Sequence, residues 1–282
     1  GETASGSLSS GAWDGTVDIS WYDPEKTEYE IDTPAKLAGL AALVNGMADP
    51  AAKVIVGDRS YLVSKKVDNV MLVGAGGGNV FDTVYTGGVD FAYKTIYLTA
   101  DLDMGGRKGA SGSWTGPNWT PIGGKFPMKP QEASGDCLTL DTRFNGVLDG
   151  QGHTIYNLYC DRCAAKGFPY SMAVGVVGFL GGNADYANGG NGEKTEAEFE
   201  NGWQPTVRNL VLGSGSIYGR RMVGGIVGRV GETSNGVVIE NCGNRADVRN
   251  TDSKGVGGIC GSAWGAGTIR GCYNTGTLST TY

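Results

Sequence analysis

A single histidine, His153, stands in a chain of 282 residues, and that count limits the chemistry. A zinc peptidase of the HExxH type needs two imidazoles on one helix face, and a serine or cysteine triad needs an imidazole base beside its nucleophile. Carboxylates are the remaining acid-base resource. An inverting glycosidase requires two of them about 6.5 to 9.5 Å apart on one face. Asp101 and Asp103, sharing a face of an alternating run, and Asp149, which precedes the turn Gly150-Gln151-Gly152 beside His153, are the residues an enzyme would use. Each also has a plainer reading: Asp149 supplies turn geometry, and Asp101 and Asp103 face solvent from a strand. No acidic pair recurs beside a basic residue in the repeats described below, which weighs against a lyase.

The six cysteines are Cys137, Cys160, Cys163, Cys242, Cys260 and Cys272. Cys160-x-x-Cys163 lacks the second pair that a zinc site needs, and in an exported protein it could form a disulfide, with Cys137 as a further partner. No metal site is expected. Calcium is the one cofactor to weigh, because Asp185, Glu193, Glu196, Glu198 and Glu200 gather in a stretch rich in Asn and Gly. Their spacing matches no EF-hand or nonapeptide calcium pattern, so a plain solvated loop is the preferred reading. For binding, the informative residues are tryptophans in loop or turn settings, Trp203 and Trp264, with Trp114 as a third; an indole can stack on a sugar face. Trp119, in the run Trp-Thr-Pro-Ile-Gly, reads as core.

These residues must be carried by a turn-rich scaffold. The chain has 50 Gly and 9 Pro, an apolar fraction of 40% and a charged fraction of 18%. That excludes an ordinary helical domain and a disordered polyampholyte, and the glycines follow no collagen period. The net charge of −6, without any basic run, excludes a nucleic-acid partner. The most apolar stretch, Met172 to Gly182, is too short and too glycine-rich to cross a membrane, so no membrane insertion is expected. Residues 1–10 read as a flexible, processed start.

Self-comparison yields two tracks of repeats. Ala173 to Gly178 matches Val223 to Gly228 and Val256 to Gly261, at spacings of 50 and 33. Thr154 to Leu158 matches Thr206 to Leu210, Val238 to Cys242 and Thr268 to Cys272, at spacings of 52, 32 and 30. The polar insertion 183–204 accounts for the longer steps. A unit of about 30 residues, made of short β-branched runs ended by Gly or Asn, cannot bury its own apolar face and must stack. The expected fold is all-β, a right-handed parallel β-helix of three short strands per coil, with an N-terminal helix-containing cap. Val177, Val227 and Cys260 should form one interior column, and Leu158, Leu210, Cys242 and Cys272 another. Asn157, Asn209 and Asn241 should form an Asn column. Stacked side chains hold their Cβ atoms too far apart for a disulfide, so Cys242 and Cys272 are expected as buried thiols.

Thr33 as N-cap, Pro34, an apolar stripe of Leu37, Leu40, Leu43 and Val44, and Asn45-Gly46 as the stop mark one amphipathic helix near 34–45. It would shield the unpaired edge of the first coil. The organisation read from sequence is a cap region over 11–93, with strands around Gly74 to Gly78, and a β-helix over 94–282 with insertions near 105–141 and 183–204. The sequence ends directly after a coil strand, so further domains of the same polypeptide are expected.

Trp13-Asp14-Gly15, Ser20-Trp21-Tyr22, Thr33 to Ala41, Lys94-Thr95-Ile96, Trp119 to Gly123 and Phe144 to Leu158 resemble, in that order, the start of bacterial surface proteins with GLUG-type repeats. The Gly-Gly-Ile-Val-Gly and Ile-Glu-Asn-Cys tracks are similar to the repeats themselves. The resemblance implies a secreted or wall-attached, adhesin-like bacterial protein on a right-handed β-helix. It supplies no catalytic residue. The expected function is therefore a non-enzymatic extracellular module that binds host or neighbour glycans or proteins. A carbohydrate-active enzyme using Asp101, Asp103 or Asp149 and a passive stalk are the alternatives.

Overall fold

A computed structural model describes residues 11–46, 65–73, 79–86, 88–127, 139–162, 172–183, 196–251 and 255–281. Residues 1–10, Gly74 to Gly78, Cys137, Cys163, Asp185 and Glu193 lie outside the described residues. The strands stack as a parallel β-helix. Its longest all-parallel wall is a six-stranded sheet of Glu28–Ile31, Thr95–Leu98, Val147–Asp149, Thr206–Arg208, Val237–Glu240 and Gly267–Arg270, each parallel to the next. Five-, four-, seven- and three-stranded sheets follow around the coil, the seven-stranded one partly antiparallel and the three-stranded one made of Val177–Leu180, Val227–Val230 and Cys260–Ala263. In it Val177 stands on Val227 and Val227 on Cys260, the column that the repeats imply.

The interior explains why the unit must stack. Ile96, Leu148, Val207 and Ile239 occupy successive rungs of one column and are fully buried. Each apolar side chain is covered by its counterparts above and below rather than by its own coil.

Two details differ from the sequence reading. A complete coil holds five short strands, not three: Thr206–Arg208, Val211–Leu212, Gly215–Gly219, Arg221–Gly224 and Val227–Val230. A left-handed residue, Asn209 at φ 54°, breaks what looks like one continuous run into Thr206–Arg208 and Val211–Leu212. The second difference is one of register. Thr154 to Leu158 does not stack on Thr206 to Leu210; Val147 pairs with Thr206 and Asp149 with Arg208, while Leu158 pairs with Gly215. Asn157 and Leu158 therefore leave the columns assigned to them. The local patterns agree because both segments are strands ending in a left-handed Asn, Asn157 at φ 57° and Asn209 at φ 54°. Asn tolerates that conformation at either corner, so the motif marks a corner without saying which.

Asn241 does stack on Asn209, its Nδ2 donating to Oδ1 at 3.4 Å. A stronger Asn ladder went unread: Asn244 Nδ2 donates to Asn274 Oδ1 at 2.8 Å, and each amide also closes its own turn, onto Ala246 O and Gly276 O.

The Gly-Gly-Ile-Val-Gly signature has a steric cause. A Cβ on Gly224 would strike the Val227 carbonyl, and one on Gly228 would strike the backbone nitrogen of Val174 on the neighbouring coil. Backbone folds onto backbone at this corner, which only glycine permits.

The helix spans Pro34–Asn45, with the Thr33 side chain accepting from the Lys36 N–H and Gly46 left-handed as its C-cap. It is less one-sided than its apolar stripe suggests: Ala38, Gly39 and Ala41 are buried along with Leu37, Leu40, Leu43 and Val44. Its last residue ties it to the coils. Asn45 Nδ2 donates to Pro121 O at 2.9 Å, and Asn45 Oδ1 accepts from the Gly123 N–H and the Thr142 hydroxyl. Nearby, Lys65–Val73 and Asn79–Thr86 form an antiparallel hairpin.

Candidate functional site

The three carboxylates singled out by type and spacing are engaged in holding rungs together. Asp101 sits at the bend between Thr95–Leu98 and Leu102–Asp103, buried rather than solvated. Its Oδ1 accepts from the Thr154 N–H at 2.9 Å and lies 3.1 Å from His153 Nδ1. Asp103 accepts from the Gly105 N–H at 2.9 Å and from Asn157 Nδ2 at 3.1 Å. Asp149 accepts from the Gln151 N–H at 2.9 Å, as a turn residue should, and also from Arg208 Nε at 2.9 Å and Asn209 Nδ2 at 3.1 Å.

These contacts decide what the groups can do chemically. Burial on its own raises the pKa of Asp149, but the hydrogen bonds from Gln151, Arg208 and Asn209 outweigh it and hold the carboxyl below its ordinary value. A general acid needs the opposite shift. Asp149 is in register with Arg208, Arg208 with Glu240 and Glu240 with Arg270, so charges alternate up this column. Arg270 Nε closes on Glu240 Oε2 at 2.7 Å. The Asp101–His153 pair resembles the base half of a triad, yet His153 makes no hydrogen bond to a serine or cysteine among the described residues.

Three of the four described thiols are equally unsuited to nucleophilic work. Cys160, Cys242, Cys260 and Cys272 are free; Cys272 is half-buried where full burial was expected. Burial pushes the Cys160 and Cys242 thiols up to about 12 and Cys260 up to about 11, so they stay protonated at neutral pH. Among the described residues, no group of three His, Cys, Asp or Glu is placed to hold a metal ion.

The tryptophans separate clearly. Trp114 lies in the hairpin of Arg107–Lys108 and Trp114–Thr115, half-buried, its indole nitrogen enclosed without a partner. Trp203 is half-buried as well: its indole N–H donates to Asn145 O at 2.8 Å, and its ring packs 5.5 Å from that of Tyr93. Trp264 differs, being 68% exposed in the turn after Cys260–Ala263. The Arg229 guanidinium lies 5.0 Å from its ring centroid, and Arg229 also flanks Phe179, against which Arg143 stacks at 3.3 Å. A column of alternating cations and rings thus ends in an indole with an open face. Trp119 is fully buried. Two guanidinium-ring pairs escaped the sequence reading, Arg249 over Tyr218 at 4.5 Å and Arg245 over Tyr273 at 5.8 Å. Only register brings such partners together, since they are about one coil apart in sequence.

Parallel rungs, buried ladders and a surface of stacked polar columns define the molecule as a β-solenoid. No family model matches the chain, and no solved structure matches it. Over 122 residues, 40% of the chain, it is 34% identical to Halomucin of Haloquadratum walsbyi. The match spans about 1% of that protein's length. Among the described residues, no helix is long and apolar enough to cross a membrane.

Proposed function

We propose that the chain is a non-enzymatic, surface-displayed module of an adhesin-like protein with GLUG-type repeats, binding glycans or proteins outside the cell. The observation that carries this reading is Trp264, which at 68% is the most exposed large hydrophobic side chain among the described residues and has the Arg229 guanidinium 5.0 Å from its ring centroid. An indole of that kind offers a pyranose ring an apolar face beside hydrogen-bond donors. The internal engagement of Asp101, Asp103 and Asp149 supports a binding role over catalysis, and the partial likeness to Halomucin agrees with a place at a cell surface.

The test is a glycan array probed with the full chain and with Trp264→Ala. We expect discrete glycan signals that fall at least tenfold in the variant, with an unchanged circular dichroism spectrum. Hydrolysis of a polysaccharide that is lost in a folded Asp149→Asn variant would overturn the proposal in favour of an enzyme.

A further inference from the structure

We propose that the outward face carrying Arg245 and Arg249 binds a polysaccharide of uronic acid units, at a second surface that does not depend on Trp264. The two arginines share a rung: Arg249 lies in Asp247–Asn250 and Arg245 in the turn that leads into it. Both are exposed, and each guanidinium rests on a tyrosine ring of a neighbouring coil, Arg249 on Tyr218 and Arg245 on Tyr273. Neither forms an ion pair among the described residues, in contrast to Arg208 and Arg270, whose charges are taken up by Asp149 and Glu240. Asp247 stands between them and accepts from the Thr277 N–H at 3.4 Å.

Charge and residue choice point the same way. Residues 1–204 carry a net charge of −10, while residues 205–282 carry +4. The kind of cation changes as well: 7 of the 8 basic residues in the later stretch are Arg, against 4 of 15 before it. A guanidinium grips a carboxylate with two parallel hydrogen bonds and stacks on rings, which an ammonium cannot do. A guanidinium beside a tyrosine face therefore suits a sugar that carries a carboxylate on its ring. The two pairs sit on adjacent walls of the coil, Tyr273 on the wall of Gly243–Asn244 and Tyr218 on that of Asp247–Asn250, and the arginine Cα atoms are separated by at most about 14 Å of extended chain, so a polymer is needed to reach both.

Affinity electrophoresis of the full chain through gels containing polygalacturonate, dextran or dextran sulfate tests this. Polygalacturonate should retard the wild type while neutral dextran does not, and the effect should weaken with added salt. The double variant Arg245→Gln/Arg249→Gln should lose at least tenfold in affinity. Arg245→Lys/Arg249→Lys, which keeps the charge and removes the fork, should lose several-fold. Trp264→Ala should stay within twofold, so that failure here and failure of the Trp264 reading remain distinguishable. Absent retardation by polygalacturonate, tighter retention by dextran sulfate, or a lysine variant that binds like the wild type would each overturn the assignment.

Discussion

Asp149 shows how far a single residue can be read from its neighbours in sequence. Asp before Gly-Gln-Gly announces a turn, and the Gln151 N–H is its local partner. Arg208, 59 residues away, is visible only once the coils are stacked. Because the folded-state pKa of Asp149 lies below its ordinary value, the pair's stabilisation is present above the ordinary carboxylate range and is lost as pH falls through the lowered value. At pH 7, Asp149→Asn should cost about 1–2 kcal/mol in urea unfolding. The gap between variant and wild type should close as the solution is acidified below about pH 4. A variant as stable as the wild type at pH 7 would show that the ion pair contributes nothing.

At the scale of elements, the glycine corner is the most constrained piece of the coil. Gly178, Gly228 and Gly261 follow the registered residues Val177, Val227 and Cys260, and at each of the three a Cβ would meet backbone. None of the three has a positive φ, so the demand is for space and not for glycine's conformational range. Gly228→Ala should therefore destabilise the fold by about 3 kcal/mol through overpacking against Val174. Gly202, at φ 69° with nothing within reach of a Cβ, is the control: its alanine variant should cost less, about 1 kcal/mol, from the left-handed backbone alone. Equal costs for the two, measured by urea unfolding, would contradict the steric account.

For the whole molecule, stability is a sum of contacts between neighbouring rungs, and those contacts are unevenly distributed. Ile239 is fully buried, whereas Ile269, the next residue of the same column, is 51% exposed, and Leu278 on that outer rung is exposed too. Local opening should follow this gradient. In hydrogen exchange, the amides of Gly267–Arg270 and Leu278–Thr280 should exchange at least tenfold faster than those of Thr206–Arg208 and Gly215–Gly219. Uniform protection from the first rung to the last would mean that the coils unfold as one unit. The same arrangement bears on binding, because stacking brings aromatic and cationic groups from separate coils side by side, as with Arg249 and Tyr218.

Composition and repeat spacing determined the class of fold, the stacking unit and the helix at Pro34–Asn45, because these depend on local patterns: β-branched runs, left-handed Asn and Gly, an N-cap and a C-cap. Tertiary structure decided the rest. A left-handed Asn ends a strand equally well at any corner, so the placing of Thr154 to Leu158 against Thr206 to Leu210 could not be resolved by pattern, and only the hydrogen-bonded register set it one corner along. Asp101 and Trp203 likewise took their partners, His153 and Asn145, from segments more than 50 residues away. Solvent exposure is a property of what lies across the gap between coils, and that neighbour is absent from any local stretch of chain.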